Sequence, residues 1–341
     1  MISPKKISFL QTSLLSWYEK HQRTLPWRSK DGKPNPYYVW LSEIMLQQTT
    51  VPTVIPYFNR FIKKWPTVDQ LAKATEDEVF HLWQGLGYYQ RARNLLKCAQ
   101  EITHSYHQKF PENLKTLLSL PGVGPYTAAA ILTIAFNKYA VVIDGNVERV
   151  LSRYLCFDGL FPGAKNEFSH KISPLYKVDK PGNLAQAIMD LGSSICKPAS
   201  PKCSICPLHE NCCAFSTKTV QNHPKKAQKP LKPTRFGTVY WIKNAKNQLY
   251  IRKRTEGRLL AGLMEFPSTD WLEMKDGIKD KKSSRVHHTF THFHLILDIV
   301  TTNKIPPDIK GGFWCNIEDL KNHAFPTVMI KVIKEASKIR P

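Results

Sequence analysis

The segment Leu120-Pro121-Gly122-Val123-Gly124-Pro125-Tyr126-Thr127 sits between two runs of apolar residues at helical spacing. A helix is expected to end near Leu118. Two glycines then make a tight turn, and an apolar helix follows from about Tyr126. Glycine permits positive φ and lets the backbone come close to a partner. The following helix presents unpaired N–H groups and the positive end of its dipole. This is a helix–hairpin–helix, in which Gly122, Val123 and Gly124 offer backbone donors to phosphate and position a protein on DNA without reading sequence. A plain packing corner uses the same pieces. The strongly basic chain around it favours the phosphate grip.

That basic character is global. Across 341 residues the formal net charge is +22, a field that favours a polyanion, with nucleic acid the first candidate. The length suggests two domains, and 42% hydrophobic residues suffice for packed cores. No signal peptide is evident: the apolar stretch after Lys5 and Lys6, from Ile7 to Trp17, is broken by Gln11, Thr12, Ser13 and Ser16 and reads as an amphipathic helix. No run is long enough to span a membrane.

Outward from the hairpin, residues 1–215 read as mainly α-helical, with helical spacing at Asn113–Leu118, Tyr126–Phe136 and Val147–Tyr154. Residues 216–235 carry six Lys or Arg, three Pro and no acid, so they read as an exposed basic linker. After it the period changes to two. Thr238–Ile242 and Gln248–Arg252 flank the turn Asn244–Asn247, a hairpin signal. Phe293, Leu295, Leu297 and Ile299 alternate along another strand, and Val328–Ile339 reads as a terminal helix. Residues 236–341 are thus an α+β domain.

Cys196, Cys203, Cys206 and Cys212 follow the pattern C-x6-C-x2-C-x5-C. Zinc sites usually pair two knuckles, or a knuckle with two histidines. A single C-x-x-C flanked by lone cysteines suits a [4Fe–4S] cube at least as well, with zinc and free thiols as the alternatives. Cys213 beside Cys212 leaves the fourth ligand ambiguous. Cys98, Cys156 and Cys315 are scattered. The eight cysteines do not look like a disulfide framework, which points to a reducing compartment.

Two acids stand out. Glu43 lies among apolar residues in Tyr38–Thr49, where desolvation would raise its pKa and let it donate a proton near neutral pH. An exposed helix-face glutamate is the plain alternative. Asp144 follows Val141-Val142-Ile143 and precedes Gly145-Asn146-Val147, as a helix N-cap does. Neighbouring N–H groups there would keep it ionised. One acid protonated and one ionised is the pairing that glycosidic cleavage requires.

Taken together, these segments resemble the helix–hairpin–helix, iron–sulfur DNA glycosylases, and within them the MutY family of adenine DNA glycosylases. The matching residues are Leu25-Pro26-Trp27-Arg28, Leu41–Thr49, Gly85-Leu86-Gly87-Tyr88-Tyr89, Leu120–Thr127, Ile143–Val147, the four cysteines and Thr289-Phe290-Thr291-His292-Phe293-His294. The resemblance implies a six-helix barrel with an iron–sulfur subdomain over residues 1–215, a [4Fe–4S] cluster on Cys196, Cys203, Cys206 and Cys212, and a Nudix-like recognition domain over 236–341. It implies removal of adenine mispaired with 8-oxoguanine or guanine in double-stranded DNA.

Carried onto this sequence, the resemblance makes Glu43 the general acid on a purine ring nitrogen. Asp144 becomes the stabiliser of the oxocarbenium-like sugar, by transient covalent attack as in retaining glycosidases. Asn146 and Tyr126 would position Asp144 and the sugar. Trp27, Arg28 and Gln186 would line a pocket for the flipped base. Gln48 and Tyr88 would fill the gap left in the duplex, beside Thr49 and Leu86, and Phe290, Thr291 and His292 would contact 8-oxoguanine. Two departures stand out: Thr291, where many relatives carry serine, and Ala185, where relatives carry asparagine before Gln186.

Tyr126 occupies the point at which the related endonuclease III has its Schiff-base lysine, and a phenol cannot form one. A monofunctional enzyme is therefore expected. In the second domain the magnesium-binding acids of Nudix hydrolases are missing: Glu265, Glu273 and Asp276 are isolated. His287, His288, His292 and His294 could alternatively be a metal site. The competing functions are an endonuclease III-like glycosylase and lyase acting on oxidised pyrimidines, and a non-catalytic iron–sulfur DNA sensor. A monomer, cytoplasmic and nucleoid-associated in a bacterium, is expected.

Overall fold

The computed structural model describes residues 2–29, 32–228, 230–255, 257–273 and 284–338. The chain forms two compact units. One comprises Met1–Lys73 and Lys97–Gln228, the other Ala74–Leu96 and Lys229–Pro341. The second unit thus takes in residues 74–96, which the sequence reading grouped with the helical half.

The helices run in chain order as α1 Pro4–His21, α2 Pro36–Leu46, α3 Val51–Lys64, α4 Val68–Ala72, α5 Glu76–Trp83, α6 Tyr89–Ser105, α7 Leu114–Ser119, α8 Pro125–Ala130, α9 Gly145–Leu155, α10 Lys165–Ile172, α11 Pro181–Ser194, α12 Cys213–Ser216 and α13 Thr327–Ala336. Among the described residues, no helix is long and apolar enough to cross a membrane.

Within the first unit the starts of the helices are chemically marked. Asn35 caps α2 by accepting from the Tyr37 N–H at 2.9 Å, with Pro36 at the first helical position. The body of α2 is apolar on nearly every face, and Tyr37 and all of Val39–Met45 are buried. A helix hydrophobic all round belongs in a core. Glu43, in the last turn of α2, is carried inside with it. Asn113 caps α7 through the Thr116 N–H at 2.8 Å. The turn to α8 needs Gly122 at φ 75°, a left-handed value that glycine alone adopts freely.

Helix α8 continues into one wide turn over Ile131–Ala135, and α11 packs against it. A Cβ on Gly182 would lie 2.5 Å from the Thr133 carbonyl oxygen, so only glycine allows this approach. At the other end of α11 a Cβ on Gly192 would meet Asn146 Cβ at 2.7 Å. The missing side chain draws α11 against the first turn of α9.

The loop after α11 is clamped to α9 by Arg153, which is buried in the last turn of that helix. Its guanidinium donates to the carbonyls of Lys197 at 2.7 Å, Pro198 at 3.1 Å and Val220 at 2.9 Å. Cys156 and Cys213 form a disulfide, contrary to the expectation of none. Their pairing brings together residues 57 apart in sequence, which spacing alone does not reveal. The expected exposed linker also needs correcting. Its side chains are mostly exposed, but residues 216–228 are pinned to the first unit. His223 is buried, and Phe161 exchanges backbone hydrogen bonds with Lys225 and Ala227.

In the second unit the strands are β1 Thr234–Ile242, β2 Leu249–Lys253, β3 Met264–Glu265, β4 Leu272–Glu273, β5 Arg285–Thr289, β6 His294–Thr302 and β7 Gly312–Cys315. The turn after β1 forms as expected, with the Asn244 carboxamide oxygen accepting from the N–H groups of Lys246 and Gln248. The strands it joins then part company. β1 enters a four-stranded sheet ordered β4-β1-β6-β5, and β2 a three-stranded sheet ordered β3-β2-β7. β1 runs parallel to β6, with Thr234 opposite His294 and Ile242 opposite Thr302. Phe293, Leu295, Leu297 and Ile299 all point into the core between the sheets and α13, as their alternation predicts. Helix α13 ends at Ala336; Ile339, placed in that helix from sequence, lies outside the described residues.

Candidate active site

Glu43 is 7% exposed, and a phenol reaches it: Tyr126 Oη donates to Glu43 Oε2 at 2.8 Å. Burial pushes the carboxyl up to about 7. The Tyr126 hydrogen bond and the more distant Arg28 charge pull it back down, while the Asp144 carboxylate adds to the rise. Tyr126 is itself held well above the ordinary phenol range by burial and by the Glu43 charge. The phenol is thus bonded to Glu43, whereas the sequence places it beside Asn146 as a positioner of Asp144 and the sugar.

Asp144 caps α9. Its Oδ1 accepts from the Val147 N–H at 2.7 Å and its Oδ2 from Asn146 Nδ2 at 2.8 Å. Asn146 is held in turn from its other side: Arg149 donates to its Oδ1 at 2.8 Å, and the same guanidinium donates to the Gly192 carbonyl at 2.8 Å. Two donors spread over both oxygens fix the carboxylate plane. Glu43, Tyr126, Asp144 and Asn146 line one open cleft of about 1100 Å³, together with Gln48 and Thr49.

A second cavity of about 260 Å³ also includes Glu43 and is lined by Trp27, Arg28 and Gln186. The structure thus brings the three residues expected around the base onto the general-acid candidate. It also adds a residue the sequence reading passed over. Asp190, fully buried on α11 one turn beyond Gln186, receives Arg28 Nη1 at 2.6 Å and Nη2 at 2.9 Å and Arg23 Nε at 2.5 Å. An acid set between Met189 and Leu191, four residues after Gln186, was the available signal. Ala185 is fully buried and faces away from both cavities.

Gln48 and Tyr88 share an uncommon conformation for non-glycine residues, with φ of 57° and 51°. Such strain persists where the surroundings impose it and often accompanies function. Tyr88 is 43% exposed, whereas Leu86 is buried at 6%. In the second unit both line a cavity of about 260 Å³ with Phe290, Thr291 and His292. The β5–β6 turn exposes Thr291 and His292 at its tip. Phe290 is different: its ring stacks on Phe293 at 4.7 Å and meets the edge of His288 at 4.5 Å. It shapes the turn more than it reaches outward.

Cys196, Cys203, Cys206 and Cys212 line one small cavity beside α9. All four are free thiols, and Cys213 is taken by Cys156, which removes the ambiguity over the fourth member. Arg153 Nη1 lies 3.4 Å from Cys196 Sγ, and Cys212 Sγ is 3.6 Å from the Arg153 carbonyl. Burial pushes the Cys206 thiol up to about 12. Four soft sulfur donors around one space, with a cation beside them, fit an iron–sulfur cluster. Among the described residues, no three His, Cys, Asp or Glu side chains converge as the ligands of a single metal ion. That statement covers the His287–His294 strand, and two acids of the second unit, Glu265 and Glu273, are paired with arginines. Glu265 is buried between Arg252, at 2.9 Å, and Arg254, and Glu273 lies 3.6 Å from Arg235. Asp276 lies outside the described residues.

Comparison with known proteins agrees with this architecture. Residues 41–169 match the HhH-GPD superfamily of base excision DNA repair proteins, and residues 238–335 match the NUDIX domain. The chain is 35% identical over 339 residues to the adenine DNA glycosylase of Buchnera aphidicola subsp. Schizaphis graminum, covering 94% of this chain and 96% of that one. It is 33% identical over 410 residues to the human adenine DNA glycosylase, covering 96% of this chain and 74% of the relative. Among solved structures, a thermostable thymine-DNA glycosylase superposes with a TM-score of 0.55 at 28% identity, over 62% of this chain and 98% of its own. A non-covalent endonuclease III–DNA complex gives 0.54 at 22% identity, over 64% and 99%, a likeness of fold.

Proposed function

The chain belongs to the adenine DNA glycosylase family, and from that premise we propose that Glu43 and Asp144 carry out its base excision. The observation that carries this reading is the pairing of a buried carboxyl raised to about 7 with a carboxylate held by two donors, both on one cleft. Adenine leaves the helix stack to enter the cavity of Trp27, Arg28 and Gln186. Glu43 gives its proton to a purine ring nitrogen, so that adenine departs as a neutral base when the N-glycosidic bond breaks. Asp144 stabilises the oxocarbenium-like sugar, by transient attachment to it, until water replaces it and an abasic site remains. Asn146 keeps the Asp144 oxygens in place for that step.

The opposing base in this proposal is 8-oxoguanine or guanine. The hydroxyl of Thr291 and the ring of His292, exposed on the β5–β6 turn, are the groups suited to read it, with Tyr88 and Leu86 on the same cavity. Gln48 and Thr49 serve the cleft where the adenine strand is opened. Gly122 and Gly124 hold phosphate through backbone N–H groups ahead of α8, whereas the Val123 N–H, also expected to do so, donates to the Leu120 carbonyl at 3.1 Å and closes the turn. Tyr126 has no amine, so the enzyme releases base without cutting the strand.

Cys196, Cys203, Cys206 and Cys212 would hold a [4Fe–4S] cluster. Bound there, the cluster supplies a structural tie for the loop that carries Lys197 and Lys202. The deciding experiment is base release from duplexes with adenine opposite 8-oxoguanine, adenine opposite guanine, and thymine glycol. Release from the two adenine duplexes with no borohydride-trapped adduct is expected. Release from thymine glycol with a trapped adduct would instead support an endonuclease III-like lyase.

A further inference from the structure

Asp190 has no place in the chemistry described so far, yet it is a fully buried acid held by Arg23 and Arg28, two arginines that line the base cavity. Its side chain is fully buried, and four guanidinium nitrogens surround it: Arg23 Nε and Nη2, each at 2.5 Å, Arg28 Nη1 at 2.6 Å and Arg28 Nη2 at 2.9 Å. The Arg23 backbone N–H adds a further donor at 3.2 Å. Arg28 Nη1 also donates to the Arg23 carbonyl at 3.2 Å, so both terminal nitrogens of Arg28 are turned toward Asp190 and the Arg23 backbone. Arg28 lines the base cavity alongside Glu43, and its charge bears on the Glu43 carboxyl together with the Asp144 charge at the start of α9 and the hydrogen bond from Tyr126 on α8. Tyr18 of α1 also packs against this group, with Arg28 5.6 Å from its ring centre.

We propose that Asp190 is a positioning residue for base release: it turns the fork of Arg28 away from the cavity and offsets the charge that Arg23 and Arg28 would otherwise present to Glu43. The inference rests on Glu43 being the general acid. Its physical content is a charge count. Two arginines and one aspartate carry a net +1. Without the aspartate they carry +2, and a nearby positive charge favours the ionised form of a carboxyl. Glu43 would then lose its proton at lower pH, and base release, which needs that proton, would fail sooner as pH rises. Arg28 would also be free to swing its fork into the space the base must enter.

The test is the pH profile of single-turnover adenine release for wild type, Asp190→Asn, the double variant Arg28→Gln with Asp190→Asn, and Glu43→Gln. In Asp190→Asn the alkaline limb is expected to move down by about half a pH unit or more. The double variant restores the net charge to +1 and removes the arginine nearer Glu43, so its limb returns to the wild-type position or above, even if its maximal rate is lower. A purely structural Asp190 would lower the rate with no movement of the limb, and that result overturns the proposal. If Asp190→Asn does not fold, the double variant alone decides, because a limb below that of wild type contradicts the charge count. Glu43→Gln separates the two readings. If it keeps the wild-type alkaline limb, Glu43 is not the acid and the premise fails. If it loses that limb while Asp190→Asn retains it, only the role of Asp190 fails.

Discussion

Tyr126 donates its phenol proton to Glu43 Oε2 across 2.8 Å, joining two residues 83 positions apart. The bond makes the acid a compromise. Burial alone would hold the Glu43 proton too firmly, and a hydrogen bond to the carboxylate makes that proton easier to give up. With the two opposed, the group sits at about 7, where a general acid is most useful near neutral pH.

Removing the phenol therefore has a signed consequence. Tyr126→Phe deletes a donor to the ionised form, so the Glu43 pKa rises and the alkaline limb of base release moves up from the neighbourhood of pH 7. Single-turnover rates between pH 5 and 9, on the order of that span, check this. An unmoved limb with a lower maximum would assign Tyr126 to placement of the sugar alone.

Asp144→Asn isolates charge from architecture. Asparagine caps helices about as well as aspartate, so α9 should start where it does now. Phosphate contacts are untouched. Base release is expected to fall by about 100-fold or more, with DNA affinity unchanged in a gel-shift or anisotropy titration. Turnover within a few-fold of wild type would remove Asp144 from the chemistry.

Thr291→Ala tests the reading of the opposing base. One hydroxyl hydrogen bond is worth about 1 kcal/mol, or about fivefold in rate preference. The ratio of adenine release opposite 8-oxoguanine to that opposite guanine should shrink by that much, with catalysis at saturating enzyme otherwise preserved. Equal selectivity in the variant would place recognition elsewhere on the β5–β6 turn.

The cysteines make a countable prediction. Alkylation of the denatured, unreduced protein after cluster removal should label Cys98, Cys196, Cys203, Cys206, Cys212 and Cys315 and spare Cys156 and Cys213. The protein as purified should carry iron and acid-labile sulfide in equal amounts. Labelling of Cys213 with protection of Cys212 would reverse the assignment of the fourth ligand.

The sequence made parts of this site readable because local chemistry fixes them. Asp144 before Gly145 announces a cap, and the Gly122–Gly124 turn announces a hairpin, each within a few residues. Glu43 was ambiguous between a buried acid and an exposed one. The arbiter is the apolar character of α2 on every side, which leaves it no solvent face. Asp190 was missed because its meaning depends on Arg23 and Arg28, more than 160 positions earlier. The parting of β1 and β2 was missed for a related reason: a turn is set by Asn244 and its neighbours, but which sheet a strand joins depends on distant partners such as His294–Thr302.

Helix α9 holds Asp144 at its head and Arg153 in its last turn, and both are seated in separate networks. Nine steps at about 1.5 Å each set those two anchorages about 14 Å apart along the axis. The helix is therefore sensitive to length in a way that substitutions do not reveal. Inserting or deleting one residue between Glu148 and Ser152 changes the rotational phase of the two ends by about 100°. The catalytic carboxylate or the arginine under the cysteine loop would then have to leave its seat, whatever residue type was added.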